Sequence, residues 1–137
     1  MKEHKVSVII FYDDKNRVLL QDRTGISKLG EEWGFFGGHI EKNESPEDAV
    51  IRETKEELDF ELKNPKFLGF DKKQVNKEIS IECHSFIVPL KHNLSKFNQL
   101  EGIGMKLFSL NQARKLKMVS GDELVLKRLE KIFKKKQ

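Results

Sequence analysis

The stretch from Ser45 to Leu58, "SPEDAVIRETKEEL", limits what this chain can become. Ser45 is a natural N-cap, Pro46 fits the first helical position, and Glu47 and Asp48 suit the positive end of a helix. Asp48, three residues after Ser45, makes a variant of the capping box. The spacing predicts a helix to about Leu58. At ~100° per residue, Glu53, Glu56 and Glu57 share an arc of about 100°. Val50, Ile51, Thr54 and Leu58 lie beside them, on the side that would meet a core. Carboxylates bordering a buried face repel one another by a few tenths of a kcal/mol per pair. They also crowd the helix C-terminus, where the macrodipole disfavours anions. A hard divalent cation with oxygen ligands would resolve that conflict. A solvated acidic face paired with Arg52 and Lys55 would also explain it, since charged helix faces are common.

The rest of the chain supplies strands. "KVSVIIFY", Lys5 to Tyr12, is β-branched, aromatic and almost continuously apolar, as a buried strand requires. "DDKN" is a turn cluster, and "RVLLQDR", Arg17 to Arg23, returns as the second strand of a hairpin. "WGFFGGHIE" is a short aromatic strand broken by glycines. After the helix, "FELKNPKFLGFD" is expected as a strand with a turn near Asn64-Pro65. Lys77 to Leu90 follows as a long alternating strand, and "MKLFSL" as a shorter one. Ser109 would cap a short helix, "LNQARKL", and the last helix carries Leu124, Leu126, Leu129, Ile132 and Phe133 mostly on one face. The order β β β α β β β α α lacks a series of βαβ crossovers. It predicts a mixed sheet with helices packed on it, an α+β or α-β-α layered domain.

At 137 residues the chain suits one domain with its own core. Its single cysteine, Cys83, excludes an intrachain disulfide framework and a Cys-rich zinc site, and fits a reducing cytoplasm. The apolar run near the start is too short for a targeting core, and no stretch approaches a membrane span. The charge is unevenly divided. Residues 1–68 have a net charge of −4 and residues 69–137 a net charge of +8. An acidic half beside a basic half could hold a metal ion against a polyanionic ligand, or merely keep the protein soluble.

The spacing around the helix is specific. Gly38 is followed by five residues and Glu44, then seven residues and Arg52-Glu53, then two residues and Glu56-Glu57. This resembles the Nudix box, the signature of the Nudix hydrolases: G-x5-E-x7-R-E-U-x-E-E-x-G-U, with U aliphatic. Three positions depart. Thr54 and Phe60 stand at aliphatic positions, and Asp59 stands where the box has glycine. An Asp tolerates a left-handed helix exit better than most residues, though less well than Gly. "VLLQDR", "WGFFGGHIE", "HSFIVPL" and "EGIGMKLFSLNQARKL" also look like stretches of this family, so the resemblance touches most of the chain.

What the resemblance implies is the Nudix fold, an α-β-α sandwich with a mixed central sheet, as one domain over residues 1–137. It implies Mg²⁺- or Mn²⁺-dependent cleavage of a nucleoside diphosphate linked to another moiety. A nucleoside triphosphate, including oxidised ones, is the expected substrate. Gly38, Glu53, Glu56 and Glu57 would be the metal ligands, and Glu53 or Glu57 would also orient or deprotonate the attacking water. Arg52 and Glu44 would form an ion pair that positions the helix. Glu101 matches a region where the family often supplies another acidic residue. It would be a general base or an extra ligand, or an ordinary loop glutamate. Trp33, Phe35 and Phe36 fit a core, but one of them, or Phe86, could stack on a base. Arg23 could meet a phosphate. His39 and His84 fit plain strand residues, and the basic tail around Lys134–Lys136 fits the polar face of the last helix. Family members are often dimers, which leaves a homodimer open. The competing reading is a non-catalytic module that binds a nucleotide or RNA on the same fold. The full glutamate set argues against it, and no RNA-recognition signature is visible.

Overall fold

The computed structural model describes residues 2–27 and 30–135. Lys136, counted above with the basic tail, lies outside the described residues. The strands are β1 (Lys2–Tyr12), β2 (Val18–Asp22), β3 (Trp33–Gly34), β4 (Phe36–His39), β5 (Lys66–Gln74), β6 (Ile79–Pro89) and β7 (Gly104–Phe108). The helices are α1 (Pro46–Leu58), α2 (Leu110–Ala113) and α3 (Asp122–Lys135). They form one mixed sheet in the order β3-β2-β1-β6-β5, with β4 also paired to β1 and β7 to β2.

The apolar run in β1 explains its central place. Ile9 and Phe11 point to one face, where they pack with Phe36, Val50 and Leu58 under α1. Val8 and Ile10 point to the other face, where they pack with Val125, Leu126 and Leu129 of α3. A strand covered by helices on both sides must be apolar on both faces. The result is the expected α-β-α layering. β1 runs parallel to β6 along its whole length, from Lys2↔Ile79 to Tyr12↔Pro89.

Three expectations change. The hairpin of β1 and β2 is confined to its turn, with Tyr12↔Val18 as its one paired position. Asp13 builds that turn, its carboxylate accepting from the Lys15 and Arg17 backbone N–H groups. Beyond the turn β1 leaves β2 and takes β4 instead, pairing Val6↔His39 through Ile9↔Phe36. The aromatic strand is accordingly two strands. It breaks at Phe35, and the pieces serve different partners, β3 on β2 and β4 on β1. Finally, the strand expected from Phe60 starts at Lys66. Residues 59–65 instead leave α1 irregularly and tuck Leu62 into the core, with Asn64 at φ 50° making the expected turn.

Helix α1 begins and ends as its sequence requires. Ser45 accepts from the Asp48 N–H at 3.0 Å, and Pro46 opens the first turn. Thr54 replaces an aliphatic residue without leaving a buried polar atom unpaired, because its hydroxyl donates to the Val50 carbonyl at 2.7 Å. Asp59 adopts the left-handed conformation, φ 50° and ψ 41°, and its N–H closes the helix on the Lys55 carbonyl. Its carboxylate meets the Lys55 ammonium at 3.0 Å. The departure from glycine therefore leaves the exit turn intact. Asp59→Ala should cost ~1 kcal/mol of stability, because Ala lacks Asp's tolerance of this conformation. Asp59→Gly should stay within about 0.5 kcal/mol of the wild type, relief of backbone strain offsetting the lost exposed ion pair and added chain entropy. Urea denaturation of the two variants checks both values.

Candidate active site

The site is assembled where α1 crosses β4. Arg52 is its hub. Its guanidinium donates to both carboxylate oxygens of Glu44, at 2.8 and 2.9 Å, to Glu53 at 2.8 Å and to the His39 carbonyl at 3.0 Å. One side chain thus ties α1 to β4 and to the loop between them. The bidentate contact with Glu44 uses the planar fork that Arg presents and Lys lacks. Arg52, helped by the Glu41 N–H, holds the Glu44 carboxyl down to about 2. The Arg52 guanidinium is in turn pushed above its ordinary value.

Gly38 permits a close approach. A Cβ there would lie 2.4–2.6 Å from the Glu53 carboxylate, so only glycine lets that group rest against the strand. On the next turn of α1, Glu57 is 1% exposed and accepts from the Gly37 N–H at 2.8 Å. Burial, reinforced by the charges of Glu101 and Glu53, pushes its carboxyl up to about 8. Burial also raises Glu53, despite its contact with Arg52. Glu101 comes from the loop before β7 and is exposed. The structure thus brings Gly38, Glu53, Glu57 and Glu101 together. Glu56 differs: its side chain is 58% exposed and lies 3.3 Å from Arg52 Nη1, the same nitrogen that donates to Glu53.

This donor set suits a hard cation. A Cβ-free cradle holds one carboxylate, and a second carboxylate is buried with its proton affinity raised. Among the described residues, no three acidic or histidine side chains already converge on one point. Glu53 is engaged with Arg52 and would have to share its oxygens.

Beside the carboxylates lies a cavity of about 570 Å³ on the sheet face opposite α1. Val6, Val8, Ile81, Cys83 and Phe35 give it an apolar lining, and Glu53 and Glu101 border it. Arg23 lines it too. Its Nη1 donates to Gln21 Oε1 at 2.9 Å. Its buried Nε lies 3.6 Å from Glu31, an ion-pair distance too long for a hydrogen bond.

The aromatic candidates are corrected. Phe36 is fully buried and Phe86 nearly so, both in the α1 core, which closes them to a ligand. Trp33 packs edge-on against Phe108 at 4.9 Å and does not line the cavity. Of the aromatic residues that the sequence offered either as core or as a base-stacking side chain, Phe35 lines the cavity. His39 reaches the rim, 3.2 Å from His4.

Two polar residues escaped the sequence reading. Asp122 lies in the cavity wall, 3% exposed, and accepts from the Phe35 N–H at 3.1 Å. Burial pushes its carboxyl up to about 7. In the sequence it reads as an ordinary acidic first turn of α3. Gln21 is 0% exposed in β2, directly after the apolar Val18, Leu19 and Leu20. A neutral amide closing the apolar run of "VLLQD" was the available signal.

Glu57 and Asp122 bind a proton more tightly folded than unfolded. For Glu57 the window runs from its ordinary value of 4.5 to about 8, and for Asp122 from 3.8 to about 7. Their stabilisation is fully present below these windows and is lost as pH rises through them. Glu44, shifted the other way, acts below pH 4.5. The metal-free protein should therefore lose several degrees of Tm between about pH 5 and pH 8. Glu57→Gln, which cannot ionise, should flatten that decline. Scanning calorimetry across this range decides it, and a wild-type Tm rising with pH would contradict the burial described.

The NUDIX domain family matches residues 1–129. The chain is 34% identical over 61 residues to an 8-oxo-dGTP diphosphatase of Proteus vulgaris, covering 44% of this chain and 54% of that protein. It is 34% identical over 87 residues to the CTP pyrophosphohydrolase of Escherichia coli K12, covering 64% of this chain and 62% of that protein. The chain thus spans little more than half the length of these relatives. The solution structure of the E. coli ORF135 protein superposes with a TM-score of 0.78 at 26% identity, covering 96% of this chain and 91% of that one. The match over nearly the whole chain, joined to the Gly38–Glu57 constellation, makes this protein a member of the Nudix family.

Proposed function

We propose that this protein is a Mg²⁺- or Mn²⁺-dependent pyrophosphohydrolase of nucleoside triphosphates, oxidised ones included. The observation that carries this reading is the cluster of Glu53, Glu57 and Glu101 beside Gly38 at the border of an apolar cavity. A pocket that size takes a nucleoside, and the acidic cluster falls beside it, where the phosphates would lie. Relatives named for 8-oxo-dGTP and CTP support a triphosphate.

Each residue has a role in this reading. Glu53, Glu56, Glu57 and the Gly38 backbone hold the divalent ion, Glu56 turning in from Arg52. The bound ion supplies charge neutralisation at the phosphoryl oxygens and lowers the pKa of its water. Glu101, exposed beside Glu57, takes the proton of the attacking water. Arg23, which lines the cavity, meets a phosphate through its guanidinium. Phe35 and the cavity's aliphatic side chains hold the base, and Asp122 reads its polar edge. Near neutrality that carboxyl can donate or accept, according to the base it meets. Arg52 and Glu44 keep α1 in place against β4.

Glu57→Gln and Glu56→Gln should each lower turnover by about two orders of magnitude or more while the fold persists. The assay is release of pyrophosphate from a panel of standard and oxidised nucleoside triphosphates with Mg²⁺ or Mn²⁺, products separated by chromatography. Unchanged release in either variant would sink the site assignment. A wild type that binds the panel but releases nothing would favour the non-catalytic module. Asp122→Asn should shift the ratio of kcat/KM between bases by about tenfold. An unshifted ratio would remove Asp122 from base recognition.

A further inference from the structure

Gln21 is a fully buried amide whose partners all belong to the site. Burying a carboxamide is costly unless its donors and acceptor are used. Here Oε1 accepts from Arg23 Nη1 at 2.9 Å, and Nε2 donates to the Glu101 carbonyl at 3.1 Å. The same Nε2 lies 3.5 Å from Glu57 Oε2. The Glu101 carbonyl takes a second amide, Gln99 Nε2, at 2.8 Å, and that nitrogen also donates to the Gly104 carbonyl at 2.9 Å.

The backbone around these contacts is equally constrained. The Leu100 N–H donates to the Glu57 carbonyl at 2.7 Å and the Asn98 N–H to the Leu58 carbonyl at 2.9 Å, so the loop is stapled to the end of α1. Gly102 turns it at φ +83°. A Cβ there would lie 2.9 Å from the Asp22 carbonyl, 3.0 Å from Gln99 Nε2 and 3.1 Å from Gln21 Nε2. The turn is glycine because two glutamine amides and a strand carbonyl fill the space a side chain would need.

We infer that Gln21 and Gln99 form a clamp on the Glu101 carbonyl, and that Gln21 ties this loop to the cavity arginine. The inference rests on the proposed hydrolase reading and adds two positioning residues to it. The oxygen and nitrogen of one carboxamide are fixed in a plane. Gln21 therefore sets the spacing between Arg23, which meets the phosphate, and the segment that presents Glu101. A neutral amide suits the position: a carboxylate would repel Glu57, and an ammonium would pair with Glu57 and compete with a divalent ion for it. Gln99 touches the loop and the first residue of β7, and neither Arg23 nor Glu57. The two glutamines thus differ in what their loss should change.

The test compares Gln21→Met and Gln99→Met, which keep most of the volume and remove the amides. Amide hydrogen exchange of the peptide covering residues 98–104 should speed up about tenfold in both, with α1 unchanged. Gln99→Met should lower kcat for the preferred triphosphate about tenfold with KM within about twofold, because Glu101 alone is loosened. Gln21→Met should lower kcat similarly and also raise KM, because Arg23 is released too. A structural role alone would lower Tm and leave the kinetics of the folded fraction unchanged. Unaltered exchange in 98–104, or identical kinetic effects of the two variants, overturns the inference. If Gln21→Met fails to fold, Gln99→Met still decides the clamp. If the wild type hydrolyses no triphosphate, the hydrolase reading falls, and the exchange measurement alone judges the clamp.

Discussion

Arg52 is the charge on which the arrangement turns. Without it, Glu44, Glu53 and Glu56 would face one another and the His39 carbonyl across a half-buried gap. With it, a strand, a loop and a helix share one guanidinium. Exposed ion pairs contribute little, but this one is partly shielded, and its fork satisfies several acceptors at once. The arrangement also keeps Glu53 against Gly38, so the structural contact and the proposed ligand contact involve the same carboxylate. Binding a cation must then redistribute oxygens between Arg52 and the ion. The contact of Glu56 with the same Arg52 nitrogen that holds Glu53 is one side of that competition.

Much of the fold was legible because it is local. The cap at Ser45, the apolar β1 and the amphipathic α3 each follow from residues close in sequence. What was misjudged depends on pairing between distant segments. The β1–β2 hairpin was the economical reading of "DDKN", yet β4 takes most of that edge of β1. Phe36 and Phe35 are adjacent and chemically identical, and only the break between β3 and β4, with Phe36 paired to Ile9 of β1, separates the one in the α1 core from the other in the cavity. No pattern within "WGFFGGHIE" distinguishes them.

The site divides in the same way. The glutamates, Gly38 and Arg52 stood out because their spacing is a property of one strand–loop–helix unit. Asp122 and Gln21 come from elements remote in sequence, and their roles arise from what those elements meet. Gln21 could have been noticed as a polar residue at an apolar place. Asp122 could not, since an acid in a first helical turn is expected on other grounds.

The parallel ladder of β1 and β6 reaches beyond the folded state. The first described residue of the chain, Lys2, finds its neighbour at Ile79, and every position of β1 has a partner in that same distant strand. During synthesis the opening strand, with Val8 to Phe11 in succession, must remain without that partner until the chain has grown past residue 89. Only β2 and β4 are at hand earlier. Loop closure of that span precedes any gain from the contacts, which slows folding and leaves an apolar edge exposed meanwhile. For this protein, the moment of greatest exposure to aggregation falls on the ribosome, between emergence of β4 and arrival of β6.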